Sequence, residues 1–388
     1  MIMTEKSKQH VDSCRFCWMC RHICPVGNAT GQERNNARAR ALALSLLNRG
    51  ALALEEIIDN MYECATCGAC TKECVTGWDP VMFIKETRLN AALEGKTPDY
   101  INTLIDNCLD TGNAYGVTEL DGALAAAIAA HNAKTGTLLF LGSDARYAAP
   151  ECGVNAIRLL EKAGLSFTVL ADEPASGEQL DFLIGAAEEA KSQMAACAAA
   201  VGGFDTVVVY DPADAKVMKR TWQEYGIECS PKLVTFTAFL ANAGLQLRST
   251  GRTVCYQDPF QLARDLQETE EARGLISSCA ALQEMLLNRK DTMWAGNILM
   301  VIMKHLKVAL NLWQANRCPL LCLTTMTSVW IMIIAKTTYP MRFLACGYAM
   351  MVHLTKKTIW LSKPLMKMEL SPKQVGLLLQ MNLLYRTH

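Results

Sequence analysis

Eight of the seventeen cysteines stand in two runs of identical spacing, and no other feature restricts the fold so tightly. The first run is Cys14-x₂-Cys17-x₂-Cys20-x₃-Cys24, followed by Pro25; the second is Cys64-x₂-Cys67-x₂-Cys70-x₃-Cys74, followed by Val75. A cubane has four iron corners and needs one thiolate at each. Three cysteines at i, i+3 and i+6 suit a tight wrap of backbone around three corners, and the fourth thiolate must come from elsewhere in the chain. The spacing therefore points to two [4Fe–4S] clusters. Zinc fits less well, because it takes four ligands as two separated pairs. A disulfide framework fits less well still, since a chain of 388 residues can bury a core without staples. Gly68 and Gly77 suggest tight turns around the second run.

The paired runs resemble those of bacterial two-cluster ferredoxins. That resemblance implies crossed ligation, in which the fourth Cys of each run serves the other cluster. Cys14, Cys17, Cys20 and Cys74 would then hold one cluster, and Cys64, Cys67, Cys70 and Cys24 the other. Arg15, Arg21, His22 and Lys72 lie among these cysteines. They would raise a cluster's potential or serve as ordinary surface charge. Trp18 reads more readily as a core residue than as a shield for the cluster.

The rest of the chain has globular composition, 51% hydrophobic and 20% charged. Many unpaired cysteines imply a reducing compartment. The N-terminus shows no export signal, and no apolar run is long enough to span a membrane. The chain reads as cytoplasmic, reaching the inner face of the membrane only through partners, and nothing in it suggests nucleic-acid binding. The zero net charge hides an asymmetry: from Thr292 onward there are eleven Lys/Arg and a single acid, Glu369, out of 38 of each in the chain.

Periodicity predicts helices over Thr30–Leu47, with Thr30 and Glu33 as a capping box, over Glu55–Tyr62 and over Val81–Leu93. From Gly136 strands and helices alternate. Strands are expected at Leu138–Leu141, Phe167–Leu170, Thr206–Tyr210, Leu233–Phe236 and Thr253–Tyr256. Helices are expected at Ala148–Ala163, Glu178–Ala200 and Ala213–Tyr225. The alternation argues for βαβ units around a mostly parallel sheet. No dinucleotide fingerprint or P-loop is present. The expected fold is thus a multidomain α+β protein. A helical, ferredoxin-like module covers 1–110, a first α/β repeat covers 111–249, and a second covers 250–388 with an atypical tail from about 300.

Three segments carry a wider resemblance: Tyr62-Glu-Cys-Ala-Thr-Cys-Gly-Ala-Cys70, Tyr256-Gln-Asp-Pro-Phe-Gln-Leu-Ala-Arg264 and Asn288-Arg-Lys-Asp-Thr-Met-Trp-Ala-Gly296. They resemble iron–sulfur oxidoreductases with an N-terminal two-cluster module and C-terminal cysteine-rich CCG repeats. The iron–sulfur subunits of glycolate oxidase and anaerobic glycerol-3-phosphate dehydrogenase are of this kind, as is the catalytic subunit of heterodisulfide reductase. In that family each repeat supplies further cysteine ligands. Here those places are emptied. Gly142-Ser143 stands for Gly-Cys, Glu173-Pro-Ala-Ser-Gly177 for the Cys-Cys-Gly segment, and Asp211-Pro-Ala-Asp214 for C-P-x-C. Phe260 and Trp294-Ala-Gly296 replace the corresponding ligands of the second repeat. Cys152, Cys197, Cys229, Cys255 and Cys279 remain and read as small buried hydrophobes. Asp211 and Asp214 alone make a poor cation site and read better as a loop or helix cap.

The resemblance implies an electron-transfer subunit between an FAD-dependent dehydrogenase subunit, or other redox subunit, and a quinone or other carrier. No residue reads as a catalytic acid, base or nucleophile. Two alternatives are a thiol/disulfide reductase subunit of CCG type and a scaffold in which the clusters are structural. Past about residue 300 the family pattern stops and acids vanish. An out-of-frame stretch over about 300–365 fits this better than a basic, apolar segment docked on an acidic membrane or partner.

Overall fold

A computed structural model describes residues 12–293, together with the backbone of two short strands at Leu320–Cys322 and Met332–Ile333. All described residues fall within one unit, Met1–Lys336. The Trp294–Gly296 segment and most of the atypical tail, including the stretch read as out of frame over about 300–365 apart from these two strands, lie outside the described residues.

The first hundred residues are helical, as the periodicity predicts, but their starts differ. Thr30 does not cap a long helix. It ends a short one, α1 (Pro25–Thr30), closed by the left-handed Gly31. The next, α2 (Ala37–Asn48), begins at Asn36, whose side chain accepts from the Ala39 N–H at 2.9 Å. Helix α3 (Leu54–Tyr62) starts with Glu56 reaching back to the Ala53 N–H, and buries Leu54, Ile57, Ile58, Met61 and Tyr62 at helical spacing. The short α4 (Ala69–Glu73) carries Cys70. Asp79 caps α5 (Pro80–Leu93), with Pro80 in the first turn where a missing N–H costs nothing. Two helices follow that the periodicity did not reveal, α6 (Asp99–Thr111) and α7 (Gly122–Ala129).

The α/β part contains a parallel three-stranded sheet. Strands β1 (Thr137–Phe140), β2 (Thr206–Val209) and β3 (Lys232–Thr235) pair in sequence order, with Leu139 opposite Val208 and Val208 opposite Val234. Phe167–Leu170 contributes only an isolated bridge, Thr168 to Leu138, and is not a strand. Between β1 and β2 lie α8 (Pro150–Lys162), α9 (Glu178–Ile184) and α10 (Glu188–Val201). The expected long helix over Glu178–Ala200 is thus two. The break falls at Gly185, which has φ 62° and whose Cβ, were one present, would stand 3.0 Å from the Lys85 carbonyl. Any larger residue there would be strained and would push α9 off α5. After β2 the chain runs through α11 (Pro212–Lys216), a π-helical stretch over Val217–Thr221 and a last turn at Trp222–Glu224. Strand β4 (Thr253–Tyr256) pairs in parallel with β5 (Ala281–Gln283) and with β6 (Leu320–Cys322); β7 (Met332–Ile333) is antiparallel to β6.

One hydrophobic core runs without interruption from the helical part into the first sheet. It includes Leu44, Met61, Phe83, Ile101, Leu138, Phe140, Leu183, Val207 and Trp222. A smaller cluster of Val254, Tyr256, Ala272 and Ile276 lies under β4. The helical part therefore holds its shape against the sheet, and the cysteine runs are anchored from both sides.

Candidate metal centres

Both cysteine runs open with the same backbone move. In Cys14-Arg-Phe-Cys17 and in Cys64-Ala-Thr-Cys67 the residue before the second Cys is left-handed, at φ 51° for Phe16 and 48° for Thr66. Such φ values are uncommon outside glycine and cluster where function demands them. Here they fold the backbone back on the first thiol, so the N–H groups of Phe16 and Thr66 each donate to the preceding Cys Sγ at 3.4 Å. The runs diverge at their ends. Pro25 starts α1, with the Gly27 N–H donating to Cys24 Sγ at 3.4 Å. Val75 starts no helix and lies 76% exposed.

The tertiary fold then brings together cysteines from different runs. One hollow of about 420 Å³ is lined by Cys24, Cys64, Cys67 and Cys70. Another of about 380 Å³ is lined by Cys14, Cys17, Cys20 and Cys74. Cys70, Ala37 and Pro80 line both, so the two hollows share walls. No His, Asp or Glu lines either; the only charged groups on their walls are Arg40 and Arg15. Among the described residues no three Cys, His, Asp or Glu side chains converge on the position of a single metal ion. The thiols ring a volume rather than a point, as a multi-iron cluster needs and a lone zinc does not.

Two orphaned donors test the fit of an anionic cluster. The Trp78 indole N–H, on the wall of the first-run hollow, is buried without a hydrogen-bond acceptor. One Nη of Arg40, on the wall of the other, is also buried and unpartnered. Buried donors are seldom left so. Anionic sulfur in each hollow would satisfy them, so the residues present fit a thiolate-bound iron–sulfur cluster. Burial pushes the free thiols up, Cys20 and Cys67 to about 11 and Cys70 well above the ordinary range. Metal binding would therefore release protons.

The two centres differ in surroundings. The hollow with Cys64, Cys67 and Cys70 is gripped by cations. Arg88, 0% exposed, donates to the carbonyls of Phe182 at 2.6 Å, Met61 at 2.9 Å and Cys64 at 2.8 Å. Its guanidinium also lies over the rings of Tyr62 and Phe182. Arg264, from the far α/β part, donates to the Cys67 carbonyl at 2.8 Å. The first-run centre is nearer solvent: Cys17 is exposed and Trp18 is 58% exposed. Trp18 is thus no core residue. It lies beneath the guanidinium of Arg38 at 4.2 Å, with Arg21 at 5.3 Å. Trp78, 3% exposed and stacked on Phe83, takes the buried place. Arg21 pairs with Glu33, and Lys72 with Glu73 and Asp291, so these two are surface ion pairs.

Arg40, Arg88 and Arg264 escaped the sequence reading because each sits more than ten residues from the cysteines it serves. Their one signal was a long cationic side chain on the buried stripe of a helix, as at Arg40 beside Ala41 and Leu44. Of the remaining cysteines, Cys152, Cys197 and Cys255 are buried, while Cys229 and Cys279 are half-buried. Phe260 lies beside the Arg264 guanidinium, 5.5 Å from ring centre to Cζ. Asp211 does cap α11, accepting from the Ala213 N–H at 2.7 Å. No helix among the described residues is long and apolar enough to cross a membrane.

Residues 10–78 match the family model of a 4Fe-4S dicluster domain. Two characterised proteins are similar over a longer stretch. A subunit of the fumarate reductase (CoM/CoB) of Methanothermobacter marburgensis is 23% identical over 288 residues, which is 70% of this chain and 55% of that protein. A subunit of the dihydromethanophenazine:CoB–CoM heterodisulfide reductase of Methanosarcina acetivorans is 25% identical over 329 residues, 74% of this chain and 77% of that one. The chain therefore spans little more than half the length of the first relative. No solved structure matches it.

Proposed function

We propose that this chain is an iron–sulfur electron-transfer subunit of an oxidoreductase complex, carrying two [4Fe–4S] clusters. Cys14, Cys17, Cys20 and Cys74 would hold one, and Cys24, Cys64, Cys67 and Cys70 the other. The observation that carries this reading is the pair of wall-sharing, cysteine-lined hollows, each with a buried donor that an anionic occupant would satisfy. When bound, such clusters supply one-electron transfer over a range of potentials set by charge, hydrogen bonding and solvent exposure. The chain's own residues hold the thiols, exclude water from the deeper hollow and place cations beside it. The resemblance read from sequence favours an FAD-dependent dehydrogenase subunit as one partner and a quinone or other carrier as the other. A thiol/disulfide reductase would draw on the name of the second relative, but the places where the resemblance expects its cysteines hold Ser143, Ser176, Asp211 and Asp214.

The test is anaerobic reconstitution followed by redox titration with EPR detection. We expect about eight iron atoms per chain and two reducible signals. Iron that binds without cycling in the physiological range would leave only the structural-staple role.

Arg264 gives a sharper prediction. Its guanidinium lies against Cys67 and favours the thiolate there. A reduced cluster carries one more negative charge than an oxidised one. Arg264→Met should therefore lower the potential of the deeper cluster by roughly 50–100 mV, which is the Coulomb energy of one charge at an effective dielectric of about 20. The other cluster should shift much less. Equal shifts in both signals would sink the assignment of Arg264 to one centre.

A further inference from the structure

Around the first-run hollow the chain leaves large apolar side chains in water. Met19 and Val75 line that hollow and are 44% and 76% exposed, and Trp18, next to Met19 in the chain, is 58% exposed. The exposed walls continue through Arg15, Cys17 and Thr76. No residue lining the deeper hollow is exposed. Single exposed apolar residues need no explanation, but several set around one functional centre do.

Trp18 is fixed in place as well as exposed. Arg38 stands over its ring while donating through Nε to the Phe16 carbonyl at 2.9 Å. Arg21, also beside the ring, pairs with Glu33 at 2.7 Å. An indole held still in water has already lost the side-chain freedom that binding would otherwise remove. Residues 12–49 hold six arginines, no lysine and two acids, Asp12 and Glu33. Of the six only Arg40 is buried. Aromatic side chains, methionine and arginine are the types enriched where proteins meet, and lysine and acids are depleted there.

The sign of this surface selects its occupant, because a surplus of arginine complements an acidic face. A second copy of the chain would set arginine against arginine. The chain's own stretch from Thr292, with eleven Lys/Arg and one acid, carries the same sign and is no better matched.

We propose that the exposed side of the first-run centre is the docking surface for a redox partner protein that presents an apolar spot within an acidic rim. On the electron-transfer reading above, on which this rests, one electron passes between the partner and the first-run cluster. The deeper cluster then exchanges that electron across the shared wall, and no bond forms or breaks. Redox encounters bury less than about 1,200 Å², so a few apolar anchors ringed by charge suffice.

The probes are two one-electron acceptor proteins of opposite charge, acidic plastocyanin and basic cytochrome c. Cluster-loaded full-length protein, reduced anaerobically, is mixed with each by stopped flow over a range of salt. The wild type should reduce the copper(II) of plastocyanin at a rate that falls about tenfold or more from low to high salt, as steering by opposite charge requires. Its rate with cytochrome c should hold or rise. Arg15→Glu should slow the plastocyanin reaction about fivefold or more at low salt and flatten its salt dependence. Trp18→Ser should slow it at every salt concentration. Loss of a positive charge lowers the cluster's potential and strengthens the driving force, so slower transfer in Arg15→Glu reports docking. Leu93→Ser, at an exposed position on α5, should match the wild type. Iron content and the two EPR signals show whether each variant keeps its clusters. Wild-type rates in both variants with both signals intact, or the opposite salt dependence, would overturn the docking surface and leave the electron-transfer reading standing. A wild-type dimer that Trp18→Ser dissolves would seat a second copy there instead and also overturn it. A wild type without reducible clusters would sink the electron-transfer reading itself, and the docking surface with it.

Discussion

Cys64→Ser is expected to remove one of two iron–sulfur EPR signals, halve the iron content and abolish electron transfer to the acceptor. A partner's dye-linked dehydrogenase activity should survive. Serine keeps the size and the acceptor for the Thr66 N–H, so the change is aimed at ligation. Its hydroxyl is far less acidic than a thiol and is a hard donor, poorly matched to iron–sulfur binding. The position has no substitute ligand nearby, since every cysteine on that hollow is already counted in its set of four. Cys152→Ser is the control. Cys152 is fully buried on α8, away from both hollows, and its replacement should cost stability while both signals remain. Two full-strength signals in Cys64→Ser would refute the ligand assignment.

Arg88→Met should produce the largest loss of stability of any single substitution in the helical part that spares the cysteines. Methionine fills much of the arginine's volume but strands two carbonyls, those of Cys64 and Phe182, and takes one donor from a third, that of Met61, which keeps the Cys64 N–H at 3.3 Å. Each unsatisfied buried acceptor costs about 1–3 kcal/mol, so for the two stranded carbonyls a loss of roughly 2–6 kcal/mol is expected, a large share of the 5–15 kcal/mol typical of a folded domain. The three carbonyls belong to α3, to the second cysteine run and to α9, so the guanidinium ties the cluster module to the α/β part. Arg88→Lys should recover only part of the loss, because one ammonium cannot reproduce the planar fork. Denaturant midpoints of the cluster-loaded proteins check this. A shift worth less than about 1 kcal/mol would show that the carbonyls find other donors.

Local pattern carried much of the architecture. Leu54–Tyr62 and Pro80–Leu93 are legible because their apolar residues recur at helical spacing, and β2 because Thr-Val-Val-Val is a short β-branched run. The reading failed where a distant neighbour outweighs local preference. The alanine-rich stretch from Glu178 reads as one helix, but Gly185 inside it takes φ 62° against the Lys85 carbonyl of α5 and ends α9 there. Trp18 is a residue a core would take, yet it stays exposed, with the guanidinium groups of its neighbour Arg21 and the more distant Arg38 over its ring. Asp211 and Asp214 read as two isolated acids because Asp144, Glu173 and Glu178 join them only across the sheet edge.

The sequence by itself determined the kind of centre this protein builds, because three thiols within seven residues constrain one another through the backbone that links them. Only the tertiary structure decided which cysteines of the two runs line a common hollow, which arginines stand beside them and where the acids gather. Those groups lie tens to hundreds of residues apart, and burial alone makes their charges matter: in water they would be screened and solvated, and in the packed interior each needs a partner.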